Sequence, residues 1–352
     1  MHPADKSLSS VSTTFASNKA IMDKKIYYKD YLQLDKILSA QHPESFAKDK
    51  EAAHDEMLFI IIHQAYELWF KQTLFEVDSV AAIMKKESIN DNSPELKTVV
   101  HRLKRVVAIL KVLVQQIDIM ETMTPMEFLE FRDMLRPASG FQSWQFKVLE
   151  ARLGLKYEQR HGQHYYISQL EKKEVDVIKA QEEERSVLQL VNDWLERMPF
   201  LPEASDWVTY ENIYISSLAE AEKNNAANFR KIFIEPGEER QLSPKAARAA
   251  LFITLYQGYP MLELPFQLLN VLLEIDEQLG TWRYRHMNMV QRMIGTRIGT
   301  GGSTGAGYLK GATDSHNIFK EIAQLNSFLV QRNKLPALPE QLVRKLGYEN
   351  MR

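Results

Sequence analysis

Between Thr281 and Gly305 the chain reads TWRYRHMNMVQRMIGTRIGTGGSTG, a run in which an imidazole, several guanidinium groups and bare glycine backbone fall close together. At helical spacing Trp282, His286, Met289 and Met293 share one face, so a single histidine stands in an apolar stripe. A ring nitrogen there needs a partner: a backbone carbonyl if the residue only packs, a metal if it is a ligand. Arg283, Arg285, Arg292 and Arg297 crowd the same turns, either as a solvated face or as partners for an anionic group. Gly295, Gly299, Gly301, Gly302 and Gly305 then dissolve the helix into a loop that can approach a ligand closely. This loop follows a helix and has no Gly-Lys-Ser/Thr ending, so neither nucleotide fingerprint is met. It reads as a surface hinge, or as a lid that offers Thr300 as a hydrogen-bond donor.

The first half holds a second such set. Phe59, His63, Tyr66 and Phe70 repeat on one helical face, and His63 there is either a bonded core imidazole or a functional one. Arg132 lies on the apolar side of a short helix near Phe128 and Leu135, where a planar guanidinium suits a carboxylate, on the protein or on a ligand. Tyr28 and Tyr31 are core aromatics or ligand-lining groups. The zinc-protease spacing HExxH is absent. Glu51-x-x-His54 and Glu158-x-x-His161 have the spacing used by di-iron carboxylate bundles, although neither lies in a clean apolar stripe and His161 precedes Gly162.

Helices must position these groups, because capped periodic segments recur and alternating β-branched runs do not. The fold expected is all-α. One helix is expected over 27–40, a long one over 46–86, and a third from Pro94, capped by Ser93, to about Glu121. Thr124-Pro-Met-Glu127 has capping-box spacing and starts a short helix through Leu135, and 143–153 is helical up to Gly154. A helix follows to about Glu196. Residues 197–242 form a polar middle of short helices, a possible small subdomain. Ser243-Pro244 caps a helix to Tyr256, Pro265 opens the segment carrying His286, and 315–330 is the last clear helix before an extended tail. Residues 1–26 read as a flexible or docking arm and 27–352 as one large helical domain.

At 352 residues the chain is long enough for a substantial core, and its 44 Lys and Arg almost balance 46 Asp and Glu. That leaves no basic field of the kind nucleic-acid binding needs. The sequence has no cysteine, which excludes disulfides, thiolate metal sites and cysteine nucleophiles, and fits a cytoplasmic protein. No apolar run approaches the ~20 residues of a membrane span, and the first 25 residues carry no secretory apolar core.

Three long motifs, HDEMLFIIIHQAYELWFKQ from His54, METMTPMEFLEFRDMLRPASGFQSWQF from Met120 and WRYRHMNMVQRMIGTRIGTGGSTG from Trp282, closely resemble the tryptophan 2,3-dioxygenase family. The resemblance runs from Tyr27 to about Leu329 and is weakest over 155–242. It implies an all-helical cytoplasmic homotetramer that binds haem b and adds dioxygen across the indole C2–C3 bond of L-tryptophan, giving N-formyl-L-kynurenine. Carried over by position, His286 matches the proximal iron ligand and His63 the distal histidine that meets the indole N–H. Phe59 matches a residue lining the indole pocket, with Phe128, Leu135 and Ser139 around it. Arg132 matches the partner of the substrate carboxylate, and Thr300 the contact to the substrate ammonium and carboxylate. Tyr28, Tyr31 and Leu32 match a segment inserted into a neighbouring subunit's pocket. Two other readings stand beside this one: a di-iron carboxylate bundle, and a non-catalytic haem- or indole-binding helical protein. Retention of both His63 and Arg132 speaks against the latter.

Overall fold

The computed structural model of the chain describes residues 25–86, 89, 93–162, 168–199, 204–235, 240–299 and 305–347. The regular elements among these residues are helices, with no strand. Two short helices, α1 (Tyr28–Leu32) and α2 (Leu34–Ile37), replace the single first helix expected. Gln33 divides them at φ 53°, in the left-handed region, and no residue of either is buried. Without a packed face, so short a stretch has little to hold it in one continuous helix.

The long helix α3 (Asp55–Met84) starts at Asp55 and not at Phe46. Phe46 ends a 3-10 turn, Glu44–Phe46, that is tied to the helix when the amides of Glu44 and Ser45 donate to the Glu56 carboxylate, both at 2.8 Å. α4 (Pro94–Met120) opens as the sequence indicates: the Ser93 hydroxyl accepts from the Leu96 amide and Pro94 occupies the first position. α5 (Pro125–Phe131) carries the expected Thr124–Glu127 capping box, and α6 (Trp144–Leu153) stops at Gly154. α7 (Lys172–Glu183), α8 (Val187–Glu196), α9 (Ala204–Ser217), α10 (Asn225–Phe233) and α11 (Pro244–Leu255) follow.

α12 (Pro260–Ile294) begins at Pro260 and runs through Pro265. Near the helix start a proline costs one hydrogen bond, and burial of Leu262, Leu268 and Leu269 carries the helix past it. Three further differences fall at the C-terminal end. α13 (Gly305–Ser315) is helical despite its glycines, α14 (Lys320–Gln324) is short and passes into a 3-10 turn, and the tail contains α15 (Glu340–Leu346), which ends on the fully buried Leu346. Tertiary packing sets these elements against weak local propensity.

The core is built around α4, with α3 and α12 packed along it. α3 and α4 run antiparallel: the Tyr66 hydroxyl donates to the Leu113 carbonyl at 3.0 Å, and Arg105 pairs with Glu76 at 2.7 Å. Val77 and Val80 of α3, Leu103 and Val106 of α4, and Leu272 and Ile275 of α12 are fully buried between them. Trp207, Tyr214, Phe229, Phe233 and Phe328 form an aromatic group that joins the same core. A smaller cluster of Ala53, Ile62, Met120, Met123 and Phe131 closes the far end, where the start of α3, the end of α4 and α5 meet. Phe59, Phe128, Met289 and Met293 rest on it, and it forms the floor of the site.

Candidate functional site

A cavity of about 220 Å³ opens above that floor, walled by α3, α5 with the turn after it, α6, α12 and α13. His63 enters from α3 and His286 from α12, so the two histidines singled out in the sequence line the same space. Residues on three separate elements, Phe59, Arg132 and Ser139, reach it as well.

Helix geometry fixes the state of His63. Its Nδ1 lies 2.7 Å from the carbonyl oxygen of Phe59, one turn earlier, and an oxygen of that kind only accepts, so Nδ1 carries the proton. In the neutral ring Nε2 is then a bare acceptor. Burial holds the imidazole below its usual pKa, outweighing the Phe59 hydrogen bond and the charge of Glu67, which act the other way. The Phe59 ring lies 4.1 Å from the His63 ring and 5.8 Å from that of Phe128, forming an aromatic wall.

His286 is neutral for the same reason, more strongly. Burial, with a lesser contribution from the nearby His63, pushes its pKa down to about 4. Its Nδ1 is buried with no hydrogen-bond partner among the described residues. A buried imidazole normally satisfies its ring nitrogens within the protein. Here the indole of Trp282 stacks on the ring at 5.2 Å, and the described residues supply Nδ1 with no acceptor. A neutral imidazole facing an apolar cavity, with Met289, Val290 and Met293 beside it, is a fitting donor for a large, flat, mostly apolar metal cofactor. Among the described residues no three His, Cys, Asp or Glu side chains gather to hold a bare metal ion. Glu51 precedes α3 outside any helix, and Glu158 lies in a 3-10 turn, so the two E-x-x-H motifs do not face each other across a bundle.

Arg132 is 5 % exposed at the start of the 3-10 turn Arg132–Leu135, and its guanidinium donates to the Ile298 carbonyl at the edge of the glycine segment. No other hydrogen bond of this guanidinium is made among the described residues, and its planar fork suits a carboxylate. The Ser139 hydroxyl accepts from the Phe141 amide at 3.4 Å and caps the turn Gly140–Gln142. Leu135 does not line the cavity; it packs behind the wall, on the small cluster with Phe128. Thr300 lies outside the described residues, whereas Gly299 lines the cavity. Tyr28 and Tyr31 are 74 % and 73 % exposed, and neither they nor Leu32 line this cavity.

The arginines near His286 divide. Arg285 is bonded to Asp118 at 2.7 Å and Glu121 at 3.2 Å. Arg283 turns inward, to the Glu150 carboxylate at 2.8 Å and the His316 carbonyl at 3.1 Å. Sequence reasoning missed this far end of the cavity. Glu150 is 3 % exposed and also accepts from Arg160 at 2.7 Å and from His316 Nδ1 at 3.3 Å. Burial alone would raise its pKa; the His316 hydrogen bond and the two guanidinium charges hold it well below the usual carboxylate range. Lys147, one turn earlier, is pushed down to about 8, chiefly by burial. The only trace in the sequence is a lysine and a glutamate on the apolar face of WQFKVLEARL.

The family model for tryptophan 2,3-dioxygenase matches residues 13–235 and 229–329 of this chain. A tryptophan 2,3-dioxygenase of Alteromonas mediterranea is 45 % identical over 354 residues, covering 92 % of this chain and 97 % of the relative. Relatives with the same name from Bdellovibrio bacteriovorus and Dictyostelium discoideum are 39 % and 42 % identical, each over 92 % of this chain and over 98 % and 89 % of their own. With the cavity, the paired histidines and matches over nearly its whole length in view, the chain belongs to the tryptophan 2,3-dioxygenase family.

Proposed function

We propose that the protein is a haem-dependent tryptophan 2,3-dioxygenase, adding both atoms of dioxygen across the indole C2–C3 bond of L-tryptophan to give N-formyl-L-kynurenine. The observation that carries this reading is a single apolar cavity with a neutral, unpartnered imidazole on one wall and an acceptor imidazole and a guanidinium on others. His286 would hold the haem iron. The haem, when bound, supplies the dioxygen activation that no side chain of the chain can perform.

The side chains bind and orient. Nε2 of His63, left as an acceptor by the Phe59 hydrogen bond, receives the indole N–H, while the Phe59 and Phe128 rings flank the indole. Arg132 pairs with the substrate carboxylate, Ser139 adds a polar contact beside it, and Leu135 backs the wall. Thr300 reaches the ammonium and carboxylate from the glycine segment. Both product oxygens come from dioxygen and no external electrons are consumed, so the chain needs no reductase partner in the catalytic cycle.

The working form is a homotetramer in which Tyr28, Tyr31 and Leu32 reach a neighbouring subunit's pocket, consistent with the exposed tyrosines of α1. Residues 27–352 act as one haem-dioxygenase domain, with 1–26 as an arm. The enzyme is cytoplasmic; among the described residues no helix is long and apolar enough to cross a membrane. Chain loaded with haem should show a Soret band that shifts with tryptophan, and air-saturated turnover should yield N-formylkynurenine in step with tryptophan loss. A haem-loaded, reduced protein that leaves tryptophan untouched refutes the assignment.

A further inference from the structure

Three other parts of the fold converge on the Glu150 carboxylate inside the cavity wall. It sits on α6, takes Arg283 of α12 and His316 beyond α13 on Oε1, and takes Arg160 from the turn after α6 on Oε2. His316 Nε2 accepts from the His161 amide at 2.9 Å, so its proton resides on Nδ1 and is donated to Glu150. Every lone pair that faces these donors is used. Burying ionised groups costs several kcal/mol per ion, and a wholly apolar replacement of such a cluster is often no less stable, so the cluster is costly if its only role is to fill space. Glu150, Arg160, Arg283 and His316 also line the cavity that His286 lines.

Arg283 stands three residues before His286 on the same helix, which places the two side chains on neighbouring azimuths about one turn apart. The Arg283 guanidinium is held at two points, so α12 cannot rotate about its axis there without breaking a buried ion pair. Among the described residues His286 has no hydrogen bond on Nδ1 to fix its ring. We infer that Glu150 is a positioning residue which, through Arg283, sets the rotation of α12 and with it the direction in which His286 presents its imidazole to a bound haem.

This rests on the haem-ligand role proposed for His286, and the test separates the two. Full-length, haem-loaded chain is compared as wild type, Glu150→Gln and Arg283→Lys, with Glu211→Gln as control. Glu211 is equally buried and pairs with Arg230 at 2.7 Å, away from the cavity. Two readouts are taken: the iron–imidazole stretching band of the ferrous protein by resonance Raman, and the rate of haem loss to excess apomyoglobin. Glu150→Gln and Arg283→Lys should each shift or broaden the band and speed haem loss about tenfold or more, while Glu211→Gln leaves both as in wild type. Arg283→Lys keeps its charge and serves if Glu150→Gln does not fold. Wild-type bands and loss rates in every variant that folds, or equal effects in the Glu211→Gln control, overturn the positioning role. A wild-type chain with no iron–imidazole band overturns the functional reading beneath it.

Discussion

His63 differs from an ordinary core histidine in one respect: its carbonyl bond consumes the proton-bearing nitrogen and leaves the other open to the cavity. Protonation would put N–H on both nitrogens and abolish the acceptor proposed to meet the indole. Burial lowers the pKa, so kcat/KM should hold through pH 6.5 and be lost only at more acid pH. A pH profile breaking at or above 6.5 contradicts this. Arg132→Ala should raise KM for tryptophan roughly 10- to 100-fold, the range of a lost charge-assisted hydrogen bond to a charged group, with a smaller effect on kcat. Lys147 gives a signed prediction for stability. Its folded pKa is about 8 against 10.5 unfolded, so the unfolded chain holds the proton longer and stability rises as pH climbs from about 8. The gain is about 3 kcal/mol over the full window, and Lys147→Met should flatten it in chemical denaturation measured at pH 8 and 10. The two histidines stood out because an imidazole interrupts an apolar stripe, while the roles expected of them came only with the family resemblance. The Glu150 cluster was not, since its members come from 147, 150, 160, 283 and 316 and meet only in three dimensions.

The elements carrying these groups were legible where a local signal ends them. Ser93-Pro94 and the Thr124–Glu127 box start α4 and α5 where the sequence places them. Thr124→Ala should cost about 1 kcal/mol of stability and raise KM, because α5 leads directly into Arg132. Boundaries set by packing were not legible, as at Pro265, at α13 and at α15. Two glycines show what such packing demands. Gly154 has φ 141°, and a Cβ there would meet Leu188 Cβ at 3.0 Å and Ile318 Cγ2 at 3.3 Å. Gly154→Ala should therefore destabilise by more than about 1 kcal/mol in equilibrium unfolding. A Cβ on Gly311 would fall 2.4 Å from the His161 ring, so that glycine lets α13 dock under the turn that caps His316.

At the scale of the whole molecule, one core of α3, α4 and α12 holds the helices that carry His63 and His286, and the cavity they both line adjoins the smaller cluster at the end of that core. The all-helical class was plain from periodicity, and matches over most of the chain agree with it. Tyr27, Tyr28 and Tyr31 are exposed together at the start of the described chain, an aromatic patch of the kind that contacts a partner surface. If the proposed insertion of this segment into a neighbouring subunit holds, Tyr28→Ala with Tyr31→Ala should raise KM for tryptophan. An unchanged KM would place those side chains outside any neighbour's pocket.

The central claim is that His286 is the group that holds haem. Titration of haem into the wild-type chain and into His286→Ala, followed by absorption and by the ferrous iron–imidazole band, tests it most directly. The account predicts tight uptake with that band in the wild type, and loss of both in His286→Ala, with His63→Ala still taking up haem. Equal uptake and an unchanged band in His286→Ala would contradict it.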